Sequence, residues 1–318
     1  MDRNAVIERI GEELRVPSYV AKRIGFRQQF GSRFDAFFKR FDEALRRLSA
    51  GRSALPLYLL DAVPREVLAP FIDLPAEERG RLAKEIVARG FDSLPQFITR
   101  VSLPEGVLEL YPTTIRYIVR TIAKHQESSY GHRESSFDRD LRIAAGFTLP
   151  AGAQIVDRRC WIPSSFYRNM GMKENFRCLS FIVFRLGGRG PLFRMHTETR
   201  NMIDFNESGW KACYMRIANL MKLMPEVKGV IGTSWFFDRQ LETISPNLSF
   251  IRRIPEEGGA FLRIDGPGEI HTQRAITLSQ HRRILYEQGK YLPLCVTIVW
   301  PKENLLRWAM DESGRPQF

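Results

Sequence analysis

The chain has 318 residues, 44% of them hydrophobic and 26% charged, ordinary proportions that exclude a disordered chain, a collagen-like fibre and a coiled-coil rod. That length holds one large domain or two smaller ones, each able to bury a substantial core. Its 48 Lys+Arg outnumber its 36 Asp+Glu for a formal net charge of +12, a surplus that attracts polyanions.

The N-terminus, Met1-Asp2-Arg3-Asn4 followed by mixed charges, has no apolar core of a signal peptide, and no apolar run reaches the roughly 18 residues of a membrane span. The expectation is a cytoplasmic protein. Residues 2–14 are charged and periodic, a first helix. Residues 22–47 are the densest basic stretch, with Lys22, Arg23, Arg27, Arg33, Lys39, Arg40, Arg46 and Arg47. Within it Phe34, Phe37, Phe38, Phe41, Leu45 and Leu48 recur at helical spacing. Aromatics among arginines suit nucleic-acid stacking; the same stripe at helical spacing suits a core, which is the reading preferred. Further helices are expected at 54–62, 65–72, 76–89, 92–101 and 112–126, with Gly90 as a cap and Pro95 at a turn. Residues 127–140 are polar and aperiodic and read as a linker, which places a helical region at 1–140 and a second region at 141–318.

After residue 141 short β-rich runs alternate with helices. Candidate strands are 152–160, 178–186, 192–199, 229–237, 260–264 and 293–299, the second and third joined as a hairpin by Gly187-Gly188-Arg189-Gly190. The main helix is 207–224, capped by Asn206 or Ser208, with Trp210, Cys213, Ile217, Leu220 and Met221 on its buried face. Shorter helices fit 163–171, 247–253, 277–288 and 302–310. The fold class is mixed, α+β or α/β, a helical region packed on a mixed-sheet domain. Cys160, Cys178, Cys213 and Cys295 match no zinc or redox spacing and read as buried thiols.

Two histidines sit in similar contexts, Arg-Met-His196-Thr-Glu198 and Gly-Glu269-Ile-His271. On strands, residues two apart share a face. His196, Glu198 and a distant His271 would then form a two-histidine, one-carboxylate site for Fe(II), with Arg282 gripping 2-oxoglutarate. Gly229-Val-Ile-Gly-Thr233-Ser234-Trp235 is an apolar run ending in polar and aromatic residues. Ligands of open sheets gather at the carboxyl ends of strands, so Thr233, Ser234, Trp235 and Asp238 are pocket candidates. Arg185, Arg189, Arg194 and Arg200 make the expected hairpin arginine-rich, a place for a carboxylate or phosphate.

A helix ending in Leu285-Tyr286-Glu287-Gln288-Gly289 and leading into the strand at 294–299 resembles the last helix of the GNAT-type acyltransferases. The resemblance covers at most the second half of the chain. It implies an acyl-CoA or acyl-carrier thioester as cosubstrate and an amine as acceptor, with Tyr286 as the acid that protonates the leaving thiolate. The letters Arg185-x-x-Gly188-x-Gly190 match that family's pyrophosphate loop. They precede Pro191 and an apparent strand instead of a helix, which favours a turn. His196 or Glu198 would take the amine proton. The leading expectation is a small-molecule N-acyltransferase. The alternatives are the Fe(II) oxygenase and a basic protein binding nucleic acid or an acidic partner through 22–47.

Overall fold

The structure is a computed structural model describing residues 2–16, 19–21, 24–26, 34–49, 71, 73–126, 128, 130, 136–167, 171–198 and 200–314, without side chains for Arg40 and residues 44–49. The chain divides into two compact units, Met1–Pro150 and Ala151–Phe318. The helices expected at 54–62 and 65–72 lie outside the described residues, Phe71 excepted, as does His132. None of the helices described is long and apolar enough to cross a membrane.

The first unit holds α1 (Arg3–Glu13), α2 (Asp35–Ser49), α3 (Ala76–Arg100), α4 (Glu105–Leu108), α5 (Tyr111–Lys124) and α6 (Phe137–Ala144), and ends in β1 (Thr148–Pro150). The phenylalanine stripe of α2 buries Phe38 and Phe41, while Phe37 meets Phe71 edge-on at 4.8 Å. Arg89 of α3 ties the two helices together. Its Nη1 donates to Asp42 at 2.8 Å and its Nε to the buried Glu85 at 3.0 Å. Its guanidinium lies 3.9 Å over the Phe38 ring.

Two helices were expected where α3 runs unbroken. Gly90 is no cap, because a Cβ there would stand 2.9 Å from the Cβ of Ala144; glycine lets α6 approach. Pro95 lies inside the helix and donates no hydrogen bond. Phe91, Leu94, Phe97 and Ile98 are buried on both sides of it, so packing overrides local propensity. α6 begins within the stretch read as a linker, because Phe137, Leu141 and Ala144 find a core. The buried Asp140 beside them accepts the Tyr130 hydroxyl at 3.0 Å.

The second unit is built on β2 (Gln154–Cys160), β3 (Leu192–Thr197), β4 (Gly229–Ser234), β5 (Phe261–Gly266) and β6 (Cys295–Pro301). β2 to β6 stand in the sheet order β2-β3-β4-β6-β5, and the molecule is mixed α+β as expected. β2 and β3, β4 and β6, and β5 and β6 are antiparallel, and β3 and β4 are parallel. A parallel neighbour requires a crossover, here α8 (Glu207–Leu223), whose cap Asn206 accepts from Gly209 N at 2.9 Å.

The two sheet faces differ. α8 lies against one, burying Trp210, Cys213 and Tyr214. Tyr214 meets Trp300 of β6 edge-on at 5.0 Å, and Trp308 of α13 (Lys302–Ser313) packs on Trp300 at 5.4 Å. Against the other face lie a helical turn at Ser164–Tyr167 and α7 (Met172–Ser180), which continues as a π-helical turn over Phe181–Arg185. Phe166, Cys178, Phe181 and Ile182 cluster there with Leu192, Ile231 and Val299 of the sheet.

The expected strand at 178–186 and its hairpin are therefore corrected to a helix followed by a turn. Cys178, Phe181, Ile182 and Leu186 are buried at helical spacing, while Phe176, Val183 and Phe184 face solvent. Apolar residues on both sides of the helix gave the run its strand-like composition. The remaining helices are α9 (Leu241–Ile244), α10 (Phe250–Glu257), α11 (Glu269–Thr277) and α12 (Gln280–Glu287).

The close fit over Trp300 supplies one expected outcome. A Cβ on Gly258 would come within 2.1 Å of the Trp300 ring, whose Nε1 donates to Gly258 O at 2.7 Å. Gly258→Ala should lower stability by about 1–3 kcal/mol through overpacking; an unchanged urea midpoint would contradict this packing. The thiols supply a second. All four cysteines are free and buried, and burial pushes Cys213 up to about 12 and Cys295 to about 11. The ordinary thiol value is 9.0, so the unfolded chain ionises while the native thiols stay protonated. Stability holds below pH 9 and falls as pH rises from 9 toward 12. Iodoacetamide at pH 8 should leave the native thiols intact and alkylate all four after unfolding; rapid native alkylation would refute the burial.

Candidate functional site

The site follows from what happens to the parallel pair. β3 and β4 are joined at Phe193↔Val230 and Arg194↔Ile231. Past those rungs β3 stays with β2, through Gln154↔Thr197 and Glu198 N donating to Ala153 O at 3.0 Å. β4 stays with β6 as far as Ser234↔Val296. Each strand follows its outer neighbour, and a cleft opens at the carboxyl ends, where open sheets receive ligands. A cavity of about 240 Å³ occupies it, its lining including Phe166, Arg194, His196, Thr233, Arg263 and Thr297.

The register sets which side chains meet there. Paired residues project to the same face, and residues two apart do likewise. His196 and Thr233 stand two residues past the last rung, on either side of the opening. His196 Nε2 lies 2.9 Å from Oδ2 of Asp157 on β2; Asp157 is buried, while the His196 side chain is 46% exposed. Arg194 is the register partner of Asp157. On the other side, Thr233 Oγ1 lies 2.7 Å from Thr297 Oγ1. Thr297 donates to Asp265 Oδ2, and Asp265 Oδ1 accepts from Arg263 Nη2. Arg263 is fixed by donation from Nη1 to Ser165 O at 3.0 Å and by stacking 4.4 Å over Phe166. A polar row thus crosses β4, β6 and β5 beside the apolar cluster beneath α7.

Of the residues singled out in the sequence, the structure brings Arg194, His196 and Thr233 to this cavity. Glu198 lies past the end of β3, buried, and is clamped by Arg200, which donates from its backbone N at 3.0 Å and from Nε and Nη2 at 3.1 Å each. Glu269 and His271 belong to α11, not to an extended segment, and two residues apart on a helix they do not share a face. Burial and Arg274 hold His271 below the ordinary imidazole range. Among the described residues no group of three or more His, Cys, Asp or Glu side chains is placed to hold a metal ion.

The remaining candidates have structural partners. Arg282 is buried, donating from Nε to Ala275 O at 2.7 Å and from Nη1 to Ser245 Oγ at 3.0 Å, with Trp235 4.8 Å below it. Trp235 is buried with Leu241, Ala275 and Tyr291. Ser234 caps the turn that follows β4, accepting from Phe236 N at 3.1 Å. Asp238 accepts from Leu294 N at 2.9 Å and holds the approach to β6. Tyr286 is 36% exposed on α12 and does not line the cavity.

The glycines of the expected hairpin close a helix instead of cradling a phosphate. Gly188 N donates to Ile182 O at 2.8 Å and Leu186 N to Phe181 O at 3.1 Å, so these amides satisfy the helix end. Gly187, Gly188 and Gly190 take positive φ, and Lys228 Nζ donates to Gly187 O. Arg185 at the end of the π-helical turn is exposed, and Arg189 donates to Ile162 O at 2.9 and 3.0 Å. Of the basic 22–47 stretch, Lys22, Arg23, Arg27 and Arg33 lie outside the described residues, as do the side chains of Arg40, Arg46 and Arg47.

Sequence reasoning missed Asp157, Arg263, Asp265 and Thr297. The readable signal was alternation: Arg263 and Asp265 are polar residues two apart in a strand-like run, as are Asp157 and Arg159. Comparison with known proteins finds no matching family model, curated protein or solved structure.

Proposed function

We propose that the second unit is an N-acyltransferase that moves an acyl group from a thioester of CoA or a carrier protein to an amine. The parting of β3 and β4 beside the Asp157–His196 pair carries this reading. A pantetheine arm is extended and bears two amides, and an open strand edge is a surface on which such a backbone-like chain is held. An arm laid along the parted strands would bring its sulfur toward His196. The glycines at 187–190 take no part, and the negative end of the donor is left to exposed basic side chains such as Arg185.

The chemistry asked of the protein is modest. The Asp157 carboxylate only accepts hydrogen bonds, so the proton of the 2.9 Å contact resides on His196 Nε2. In the neutral imidazole Nδ1 is then the acceptor. As the amine nitrogen bonds to the acyl carbon, His196 Nδ1 takes its proton; the carbon–sulfur bond breaks, and the thiolate leaves with the electron pair and is protonated by solvent. Holding the two reactants in one cleft supplies the rest of the acceleration.

Thiol release from a panel of acyl-CoA thioesters and primary amines tests this. Wild-type protein should turn over at least one pair. His196→Ala and Asp157→Asn should lower kcat by about 10²–10⁴-fold with the fold retained, and Tyr286→Phe, outside the cavity, should leave it unchanged. Absence of any thioester binding or thiol release by wild-type protein would overturn the proposal. A large loss in Tyr286→Phe would move the acid back to that residue.

A further inference from the structure

The polar row on β4, β6 and β5 has a direction. Asp265, bonded to Arg263, can only accept. The single hydroxyl proton of Thr297 is donated to Asp265 Oδ2. Thr297 therefore has no proton left for Thr233, and the 2.7 Å contact between the two hydroxyls must use the proton of Thr233. With that proton committed inward, the Thr233 oxygen turns only lone pairs toward the cavity. Arg263 cannot swing away to relax the row, since Ser165 O and the Phe166 ring hold its guanidinium.

The neutral imidazole of His196 repeats the pattern across the cleft, its Nε2 proton committed to Asp157 and its Nδ1 left as an acceptor. Two side chains at the end of the parallel pair thus offer acceptors and no donor.

We infer that Thr233 is a positioning residue for the nucleophile, accepting one N–H of an incoming primary amine while His196 accepts another, and that Thr297, Asp265 and Arg263 set this polarity from behind. The inference rests on the acyl-transfer reading for the identity of the nucleophile, but the acceptor-only polarity does not. With one N–H on Thr233 and one on His196, the nitrogen lone pair is left to face the acyl carbon. A ligand group that only accepts hydrogen bonds finds no partner at Thr233.

The test uses the full chain with threonine methyls labelled with carbon-13, titrated with n-hexylamine, which donates, and with 2-octanone, which only accepts. In the wild type the amine should shift the Thr233 methyl saturably and the ketone should not. In Thr297→Val the Thr233 proton is released, and the ketone should bind at Thr233 while the amine weakens about tenfold. Kinetically, Thr233→Val should raise KM for the amine tenfold or more without changing KM for the thioester, Thr233→Ser should restore it, and Thr233→Val/Thr297→Val should be no worse than Thr233→Val. A purely structural role for the row would instead change both KM values together. Equal binding of amine and ketone to wild type overturns the inference, as does turnover indifferent to Thr233→Val. The amine response at Thr233 without any thiol release would sink the acyl-transfer reading and leave the polarity standing.

Discussion

β3 and β4 run side by side for two rungs and then follow different neighbours. Thr197 and Glu198 remain with β2, and Thr233 and Ser234 remain with β6. A sheet interior is normally closed, with every edge paired and each face covered by packed side chains. Here the divergence of one parallel pair opens the sheet at its centre, at the strand ends where the crossover through α8 begins. The cavity, the residues that line it and the chemistry proposed for it are consequences of that parting.

The polar residues of this face are where the opening requires them. Burying a hydroxyl, a carboxylate or a guanidinium without partners is costly. The buried Thr297, Asp157 and Arg263 each have partners, two of them in one continuous row. The other part of the same face is dry, with Phe166, Phe181, Ile231 and Val299 packed beneath α7. Hydrophobic packing thus fixes the floor on which Arg263 and the threonines are aligned, and the Phe166 ring serves both parts, as core residue and as stacking partner of Arg263. The opposite face, with Tyr214, Trp300 and Trp308 in mutual contact, packs the sheet from behind.

Most of the framework was legible in the sequence where one periodicity dominated. Asn206 before a long amphipathic run marked α8, and short β-rich runs marked β2, β3, β4, β5 and β6. The run at 178–186 was not, because α7 and its π-helical turn carry Phe176, Val183 and Phe184 on an exposed face as well as Cys178 and Phe181 on a buried one, which erases the helical period. Pro95 and Gly90 pointed to a break that packing of α3 against α6 overrides. At the site, His196 and Thr233 were recognisable as polar residues ending apolar strands. Their partners were not: Asp157 is 39 residues from His196 and Thr297 is 64 from Thr233. Glu198 appeared the natural companion of His196 by alternation, but the strand ends before it, and Arg200 takes both of its oxygens. Only the strand order sets β6 between β4 and β5, and no local pattern reveals that order.

The central claim is that the open end of the parallel pair receives an extended thioester arm. The most direct measurement is an amide NMR titration with a thioether analogue of an acyl-CoA, which binds without reacting. The account predicts saturable shifts concentrated at Met195, His196 and Thr197 of β3 and at Gly232, Thr233 and Ser234 of β4. No binding, or binding whose shifts leave both strand ends unmoved, would contradict it.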